Sequence, residues 1–255
     1  MDEKEFGLEQ GLKELKELNP LSAQQLDEAS WKAIAEKAES VYEKYSGSEK
    51  LALGYAIALV ILSTQQTELQ EIEASVAKLQ SLQDRFSDSP DIALEYAKIL
   101  VNLSFEQTEL KELEASVEKV RVLQEVFPDS PDIALEYAMI LFNLSIKQSE
   151  LKERVATVEK LQVLHQQFPD SPDIALRYAR ILVNLSAEQT ELKERAATVE
   201  KLQVLHQQFP DSPDIALRYA RILVNLSAEQ TELKERAATV EKLQVLHQQF
   251  PDSPD

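Results

Sequence analysis

Hydrophobic residues along the chain fall into pairs of stripes with helical spacing. In residues 171–211, apolar side chains recur every three or four positions, first in one stripe and then in a second. This spacing is typical of amphipathic helices that bury one face, and it predicts two antiparallel helices near 172–187 and 191–209. The predicted core positions are Ile174, Ala175, Tyr178, Ile181, Leu182 and Leu185 in the first helix, and Leu192, Ala196, Val199, Leu202, Leu205 and Phe209 in the second.

The ends of these two helices carry sequence signals of their own. Residues Ser171–Asp173 are typical of a helix start, because serine accepts hydrogen bonds from free backbone amides and proline suits the first helical position. Pro210 predicts the end of the second helix, since proline disfavours helical geometry in the residue before it. The turn between the helices contains no Gly or Pro. Thr190 is the preferred N-cap of the second helix, and a capping box of Ser186 with Gln189 is the alternative.

The helix pair recurs with a period of 41 residues. The last two copies are identical in sequence, and the earlier ones are more divergent. A fixed period in this range predicts a solenoid, in which each unit packs on its neighbours. The predicted organisation is a degenerate N-terminal capping helix pair at 1–47, five repeats at 48–88, 89–129, 130–170, 171–211 and 212–252, and the start of a further repeat at 253–255.

The first 47 residues follow the same pattern less closely. Their spacing predicts a first helix at about 3–18 and a second near 24–45. The only tryptophan of the chain, Trp31, falls in the second of these helices at a position where the repeat has a core residue such as Ile72. A ligand platform is one interpretation of this tryptophan. Packing is preferred, because large aromatic side chains dominate protein cores.

The composition is that of a folded, acidic protein. Of the 255 residues, 44% are hydrophobic and 28% charged, and the formal net charge is −18. The acidic excess fades along the chain: residues 89–129 hold four basic and nine acidic residues, and residues 171–211 hold five and six. Nucleic acid is not an expected partner, because its binding needs a cationic surface. A membrane surface with acidic lipids is not expected either.

Cysteine is absent from the sequence. This excludes disulfides and thiolate sites and fits a reducing compartment. The N-terminus lacks the basic segment and apolar core of a signal peptide, and the longest apolar run is shorter than the roughly 20 residues that span a bilayer. A cytoplasmic location is therefore expected.

The sequence shows no arrangement typical of an active site. It has no Gly-rich phosphate loop and no metal-spaced cluster, so we expect neither an enzyme nor a cofactor. Three glutamates are followed four residues later by arginine, which predicts ion pairs on solvated helix faces, each contributing about 0.2–0.5 kcal/mol to helix stability. These pairs are Glu150–Arg154, Glu191–Arg195 and Glu232–Arg236.

Three histidines recur once per unit. Stacked helices lie about 8–10 Å apart, whereas zinc needs several ligands about 2 Å from one ion. One histidine per unit therefore does not make a shared metal site, and surface helical positions are predicted for all three. They are His165, His206 and His247.

The repeat resembles a known family. A second helix that ends in Phe-Pro-Asp, followed by Pro-Asp-Ile-Ala-Leu-x-Tyr-Ala-x-Ile-Leu, is similar to the tetratricopeptide repeat (TPR), although the unit is about seven residues longer than the usual 34. The matching positions are the closing prolines Pro128, Pro169, Pro210 and Pro251, the large–small pairs Tyr96–Ala97, Tyr137–Ala138, Tyr178–Ala179 and Tyr219–Ala220, and the leucines Leu100, Leu141, Leu182 and Leu223.

The resemblance implies a fold and a kind of function. The expected fold is all-α, an α-solenoid superhelix of antiparallel helix pairs whose first helices line a concave groove. Proteins of this family mostly bind peptides or other proteins in that groove. Mapped by family position, the candidate partner-binding residues are Lys98, Asn102, Met139, Phe142, Asn143, Arg180, Asn184, Arg221 and Asn225.

Each class of candidate residue has two interpretations. An asparagine on a groove wall can bind a peptide backbone, because its amide both donates and accepts hydrogen bonds; alternatively, it caps its own helix or bonds to the neighbouring unit. The arginines can receive carboxylates or can lie on a solvated face. The apolar set can form an exposed interaction patch or can be buried between units. This last set is Ile57, Val60, Ile61, Met139 and Phe142.

Two functions follow from these features. The first is a non-enzymatic scaffold that binds a peptide or protein in the groove. The second is a structural array that self-associates through its C-terminal face, because the last predicted helix, near 232–250, leaves an apolar side without a following unit in this sequence.

Overall fold

The computed structural model describes Gly11, Lys13 and residues 26–45 and 48–250. Within these ranges the chain forms eleven α-helices and no strand. The helices are α1 (Glu28–Lys44), α2 (Glu49–Ser63), α3 (Leu69–Arg85), α4 (Pro90–Glu106), α5 (Leu110–Val126), α6 (Pro131–Lys147), α7 (Leu151–Gln167), α8 (Pro172–Glu188), α9 (Leu192–Gln208), α10 (Pro213–Glu229) and α11 (Leu233–Gln249).

The chain divides into two compact parts, residues 1–140 and 141–255. In the first part, α4 packs against its own second helix, α5, and against both α2 and α3 of the preceding pair. In the second part, α10 packs in the same way against α11, α8 and α9. Each part is therefore a stack of helix pairs in which a first helix touches both helices of its neighbour. The predicted all-α solenoid architecture is confirmed.

The predicted helix bounds agree closely with the observed ones. Helices were expected at 172–187 and 191–209, and they occur at Pro172–Glu188 and Leu192–Gln208. The serine start signal also acts as predicted, since the backbone amide of Ile174 donates to the Ser171 hydroxyl at 3.4 Å. The equivalent bond has the same length at Ser89, Ser130 and Ser212.

The turn between paired helices differs from both predictions. Glu191, not Thr190, is the N-cap of α9, and its side chain makes no capping hydrogen bond. Ser186 lies inside α8, where its hydroxyl donates to the Val183 carbonyl at 2.9 Å. Neither Thr190 nor the Ser186 capping box therefore starts the second helix.

A buried side-chain hydrogen bond fixes the turn instead. The Thr198 hydroxyl on α9 donates to the side-chain oxygen of Gln189, the C-cap residue of α8, at 2.9 Å. Both residues are buried, so the bond replaces water for two polar groups. It ties the end of the first helix to the second turn of the next. The same bond joins Ser75 to Gln66, Ser116 to Gln107, Thr157 to Gln148 and Thr239 to Gln230.

The N-terminal region is described only in part. The predicted helix at 24–45 occurs as Glu28–Lys44, and it starts where the Asp27 carboxylate accepts from the Ser30 amide at 2.9 Å. Trp31 is buried in this helix, as the packing interpretation predicts. The predicted helix at 3–18 lies outside the described residues except for Gly11 and Lys13, which are both helical. Residues 253–255 also lie outside them.

One predicted core position is exposed. Leu192, expected to begin the buried stripe of α9, has 41% of its surface accessible. It is the first residue of the helix, so only one side of it meets the rest of the unit. The later positions Val199, Leu202 and Leu205 are buried as predicted.

Candidate protein-interaction site

The candidate residues on α4, in the first part of the chain, are already engaged within the fold. The Lys98 ammonium donates to the Glu95 carboxylate one helical turn away, at 2.7 Å. The Asn102 amide donates to the Ser63 hydroxyl at 2.9 Å. Because Ser63 belongs to the preceding helix pair, Asn102 links neighbouring units, which is the structural interpretation of this asparagine.

The candidate residues on α6 are largely covered. Asn143 is buried, and Met139 and Phe142 are half-buried. Of the remaining apolar set, Val60 and Ile61 on α2 are half-buried, whereas Ile57 is exposed. The residues of this set therefore do not share one environment.

The candidate residues of the second part are more accessible. Arg180 and Asn184 lie four residues apart on α8, so they share a helix face. Arg221 and Asn225 have the same spacing on α10, and α8 packs against α10. Asn184, Arg221 and Asn225 are exposed, and Arg180 is half-buried. Four hydrogen-bonding side chains are thus presented by two neighbouring helices.

A cleft of about 610 Å³ lies on the second part of the chain, between α10 and α11. Its apolar wall includes Ala216, Ala220 and Val224 from α10 and Leu243 and Leu246 from α11. Arg221 and Asn225 also line it. Family position alone did not predict this cleft, because it assigned binding to first helices only. The sequence feature that indicates this cleft is the apolar side of the last predicted helix, which was expected to be exposed.

The histidines do not all lie at the surface. His165 on α7 is buried, with its ring 5.9 Å from that of Tyr178 and 6.3 Å from that of Phe209. Its Nε2 lies 3.1 Å from the side-chain oxygen of Gln208. The surface prediction is therefore wrong for His165, because the following helix pair brings Phe209 and Gln208 over it. His247 on α11 is exposed, as predicted.

Burial changes the acid–base behaviour of two histidines. It lowers the pKa of His165, and the hydrogen bond to Gln208 only partly offsets this effect. Burial likewise lowers the pKa of His206, whose ring lies 5.8 Å from that of Tyr219. In both side chains burial therefore disfavours the charged form.

We expect the stability of the chain to fall as the pH drops below about 6.5, the usual pKa of histidine. Below that pH, His165 binds a proton more readily in the unfolded chain than in the folded chain, because burial lowers its pKa in the folded chain. The free energy of unfolding then decreases by at most about 1.4 kcal/mol per pH unit for each such histidine. Urea unfolding at pH 7.5 and 5.5 measures the change.

His165→Gln is expected to reduce this pH dependence, because glutamine does not titrate. Equal pH dependence in His165→Gln and in the parent chain would contradict the role of His165.

One predicted surface ion pair is replaced by a buried one. Arg154 on α7 was expected to pair with Glu150 on a solvated face. Instead its side chain is buried, where it forms an ion pair with Glu188 at the end of α8 and donates to the backbone carbonyl of Gln148. Arg154 therefore connects its own turn to the following helix pair.

The same position differs between units. Ile72 and Leu113 fill it with fully buried apolar side chains. Arg195 fills it in the fourth unit and donates to the Gln189 carbonyl at 2.6 Å. Arg236, in the last unit, is exposed. The position is thus part of the interface between successive pairs, and it was misassigned because the spacing of charges within one helix does not show which face meets a neighbour.

The part of the chain that the structure describes contains neither a cluster of metal-binding side chains nor a membrane-spanning helix. In that part, no group of three or more His, Asp or Glu side chains is placed to hold a metal ion. Every helix within the described ranges also falls short of the length and hydrophobicity needed to cross a bilayer.

The chain was compared with protein families, curated proteins and solved structures. No protein-family model matches the sequence, and no curated protein matches it. Among solved structures, the fold is similar to that of TTC0263, a thermophilic TPR protein in Thermus thermophilus, with 17% sequence identity and a TM-score of 0.44. The similarity covers 87% of this chain and 99% of that one. The described helices form an all-α helical-repeat fold, in which successive helix pairs pack on one another.

Proposed function

We propose that the chain is a non-enzymatic scaffold that binds a peptide or protein through the first helices of its repeats. The observation that supports this proposal is the pair of Arg–Asn sets on α8 and α10. Asn184, Arg221 and Asn225 are exposed, Arg180 is half-buried, and α8 packs against α10. We call the four side chains Arg180, Asn184, Arg221 and Asn225 the Arg–Asn surface.

The chemistry of the Arg–Asn surface indicates the kind of ligand. An asparagine amide donates and accepts, so Asn184 and Asn225 suit the backbone of an extended peptide. Arginine binds carboxylates through paired N–H donors, so Arg180 and Arg221 suit acidic side chains or a chain terminus. The favoured ligand is an extended peptide that carries carboxylates.

We expect the double variant Arg180→Glu/Asn184→Ala to weaken the binding of such a peptide at least tenfold. Hydrogen bonds to charged groups contribute about 1.5–3 kcal/mol each, and the new glutamate also repels carboxylates. The probes are peptides selected from a random display library on the immobilised chain, and the measurement is calorimetric titration of each selected peptide.

Lys193→Glu provides the control, because it makes the same charge change at an exposed position on α9 of the same unit. It is expected to leave the affinity within about twofold, since Lys193 lies outside the Arg–Asn surface and salt weakens the interactions of exposed charges. Unaltered affinity in the double variant, or an equal loss in Lys193→Glu, would contradict the proposal.

Self-association through the C-terminal face is the second candidate function. It is favoured by the apolar side chains that α11 leaves accessible, among them Leu233 and Val240. A contact between different faces of identical chains propagates into filaments unless it closes into a ring. The mass of the chain in solution separates the two candidates, because only self-association makes it rise with concentration.

A further inference from the structure

Two neighbouring first helices in the first part of the chain carry large apolar side chains on an accessible face. On α2, Ile57 is 41% exposed, and Ile61, one helical turn later, is half-buried. On α4, Phe105 is 57% exposed. We call the side chains of Ile57, Ile61 and Phe105 the Ile–Phe surface. Accessible apolar side chains that share one face are typical of interaction sites.

The repeat places these residues on one side of the two packed helices. Lys98 on α4 occupies the position that is equivalent to Ile57 on α2. Phe105 follows Lys98 by seven residues, which is about two turns of an α-helix, so both lie on the same face of α4. Because α2 and α4 pack against each other, Ile57 and Phe105 lie on corresponding faces of neighbouring helices.

This face is accessible although α2 has neighbours on both sides. Helix α2 packs against α1 of the preceding pair, against its own partner α3, and against α4 of the following pair. At the equivalent position of the next unit, the Lys98 side chain is also accessible, with 37% of its surface exposed. The exposure of Ile57 is therefore a property of its position in the repeat.

The chemistry of these positions differs between the two parts of the chain. In residues 171–211 of the second part, Arg180 stands at the position of Ile57, and Ala187 stands at the position of Phe105. The helix pair therefore accepts a charged or a small side chain at these places. Since folding does not require the isoleucine and the phenylalanine there, contact with a ligand is the role that explains their accessible apolar surface.

The polar side chains beside the Ile–Phe surface already have partners within the fold. The Lys98 ammonium donates to the Glu95 carboxylate at 2.7 Å, and the Asn102 amide donates to the Ser63 hydroxyl at 2.9 Å. An extended peptide needs hydrogen-bond partners for its backbone groups, whereas an α-helix satisfies most of these groups internally. The Ile–Phe surface therefore fits a helix that binds through its side chains.

The charge of the first part favours a basic ligand. Residues 1–140 contain 28 acidic and 13 basic residues, whereas residues 141–255 contain 17 and 14. Glu106, which follows Phe105, is exposed, and neither α2 nor α4 has a basic residue in its last turn. The C-terminus of a helix carries a partial negative charge that attracts cations. A lysine or arginine of the ligand is therefore favoured at this end of the surface.

We propose that the Ile–Phe surface binds an amphipathic helix of another protein, whose apolar face is flanked by lysine or arginine. The apolar face of this helix covers Ile57, Ile61 and Phe105, and a basic side chain lies near Glu106. This ligand differs from the carboxylate-bearing peptide that is proposed for the Arg–Asn surface. The two surfaces lie in different parts of the chain and share no residue.

A display library tests the apolar and the electrostatic features of the ligand together. The library presents a helix of about 18 residues, or five turns. One face varies among alanine, leucine, isoleucine, phenylalanine and methionine, and the flanking positions vary among lysine, glutamate and glutamine. Helices selected on the immobilised full chain are then synthesised, labelled and titrated by fluorescence anisotropy. Saturable 1:1 binding is expected, by helices that carry more lysine than glutamate.

Two matched double variants locate the site. Ile57→Ala/Phe105→Ala truncates side chains that are 41% and 57% exposed, and Val122→Ala/Val126→Ala truncates side chains that are 44% and 55% exposed on the second helix α5. The first variant is expected to weaken helix binding at least about tenfold, because it removes the apolar anchors of the contact. The second variant is expected to bind as the parent chain does. Thermal melting of both variants, monitored by circular dichroism, controls for unfolding.

Four results would overturn the proposal. The first is that no selected helix shows saturable binding below about 1 mM. The second is that glutamate is as frequent as lysine in the selected helices. The third is an equal effect of the two double variants. The fourth is a mass of the chain that rises with concentration and returns to the monomer in Ile57→Ala/Phe105→Ala, which would make a second copy of the chain the occupant. Arg180→Glu/Asn184→Ala is expected to leave helix binding unchanged, so the two proposals fail independently.

Discussion

Replacing Leu202 with alanine is expected to lower the free energy of unfolding by about 2–5 kcal/mol. Replacing Leu243, its equivalent in an identical sequence, is expected to cost only about 1 kcal/mol. Leu202 is fully buried, so its removal loses the whole transfer free energy and leaves a cavity. Leu243 is half-buried beside an open cleft, so water already contacts it and no closed cavity forms.

Urea unfolding, monitored by circular dichroism, measures the change in the free energy of unfolding for both substitutions. In a repeat array the total stability is close to a sum of unit and interface terms, so units can unfold separately. Hydrogen exchange of α9 and α11 amides therefore accompanies the unfolding curves and assigns each loss to a helix. Equal costs for the two substitutions would show that the last unit is covered in solution as the earlier one is.

Much of the fold was predictable because the sequence patterns that determine the helices act within a single helix. The serine–proline starts and the helical spacing of apolar residues act within one helix, and they set Pro172–Glu188 and Leu192–Gln208 to within two residues. The 41-residue period extended this prediction to the other units. The N-cap of the second helix was predicted incorrectly, because the hydrogen bond that fixes the turn joins Thr198 to Gln189. These residues lie nine positions apart, and no capping pattern describes that pairing.

The errors at His165 and Arg154 have one physical cause. Both side chains are covered by residues of the following helix pair, such as Gln208 and Glu188. Charge and hydrophobicity within a single helix carry no information about a partner on the next helix pair. A signal was nevertheless present, because Arg154 aligns with core positions of earlier units, such as Leu113.

The sequence selects the candidate residues but does not predict the environment of each one. Asn102 and Asn184 occupy the same position of the repeat, yet Asn102 bonds to Ser63 of the preceding pair and Asn184 is exposed. The family resemblance assigns one role to both. Their different environments depend on side-chain packing between units, which differs even where residue types agree.

The largest electrostatic effect is expected at the buried arginine of the third unit. Glu188→Gln is expected to lower the free energy of unfolding by about 2–3 kcal/mol, because it leaves the Arg154 guanidinium buried without its counter-charge. A fully buried pair would lose about 3–5 kcal/mol. The lower figure applies because the Glu188 side chain is 44% exposed, so water also solvates it.

Arg154→Leu is expected to be neutral or stabilising, in contrast to Glu188→Gln. Leu113 fills the same repeat position with a fully buried side chain, which shows that the fold accepts leucine there. The Nε of Arg154 is also buried without a hydrogen-bond partner, so arginine carries a desolvation cost that leucine avoids. Well-packed apolar replacements of buried ion pairs are often stabilising by about 1–4 kcal/mol.

A double-mutant cycle on Arg154→Leu and Glu188→Gln distinguishes the ion pair from a general effect of either substitution. In the leucine background, Glu188→Gln is expected to cost less than about 0.5 kcal/mol, because the glutamate then has no buried charge to compensate. Urea unfolding of the four chains measures the coupling. If Glu188→Gln costs the same in both backgrounds, the glutamate acts on α8 itself, and the link between successive helix pairs does not depend on Arg154.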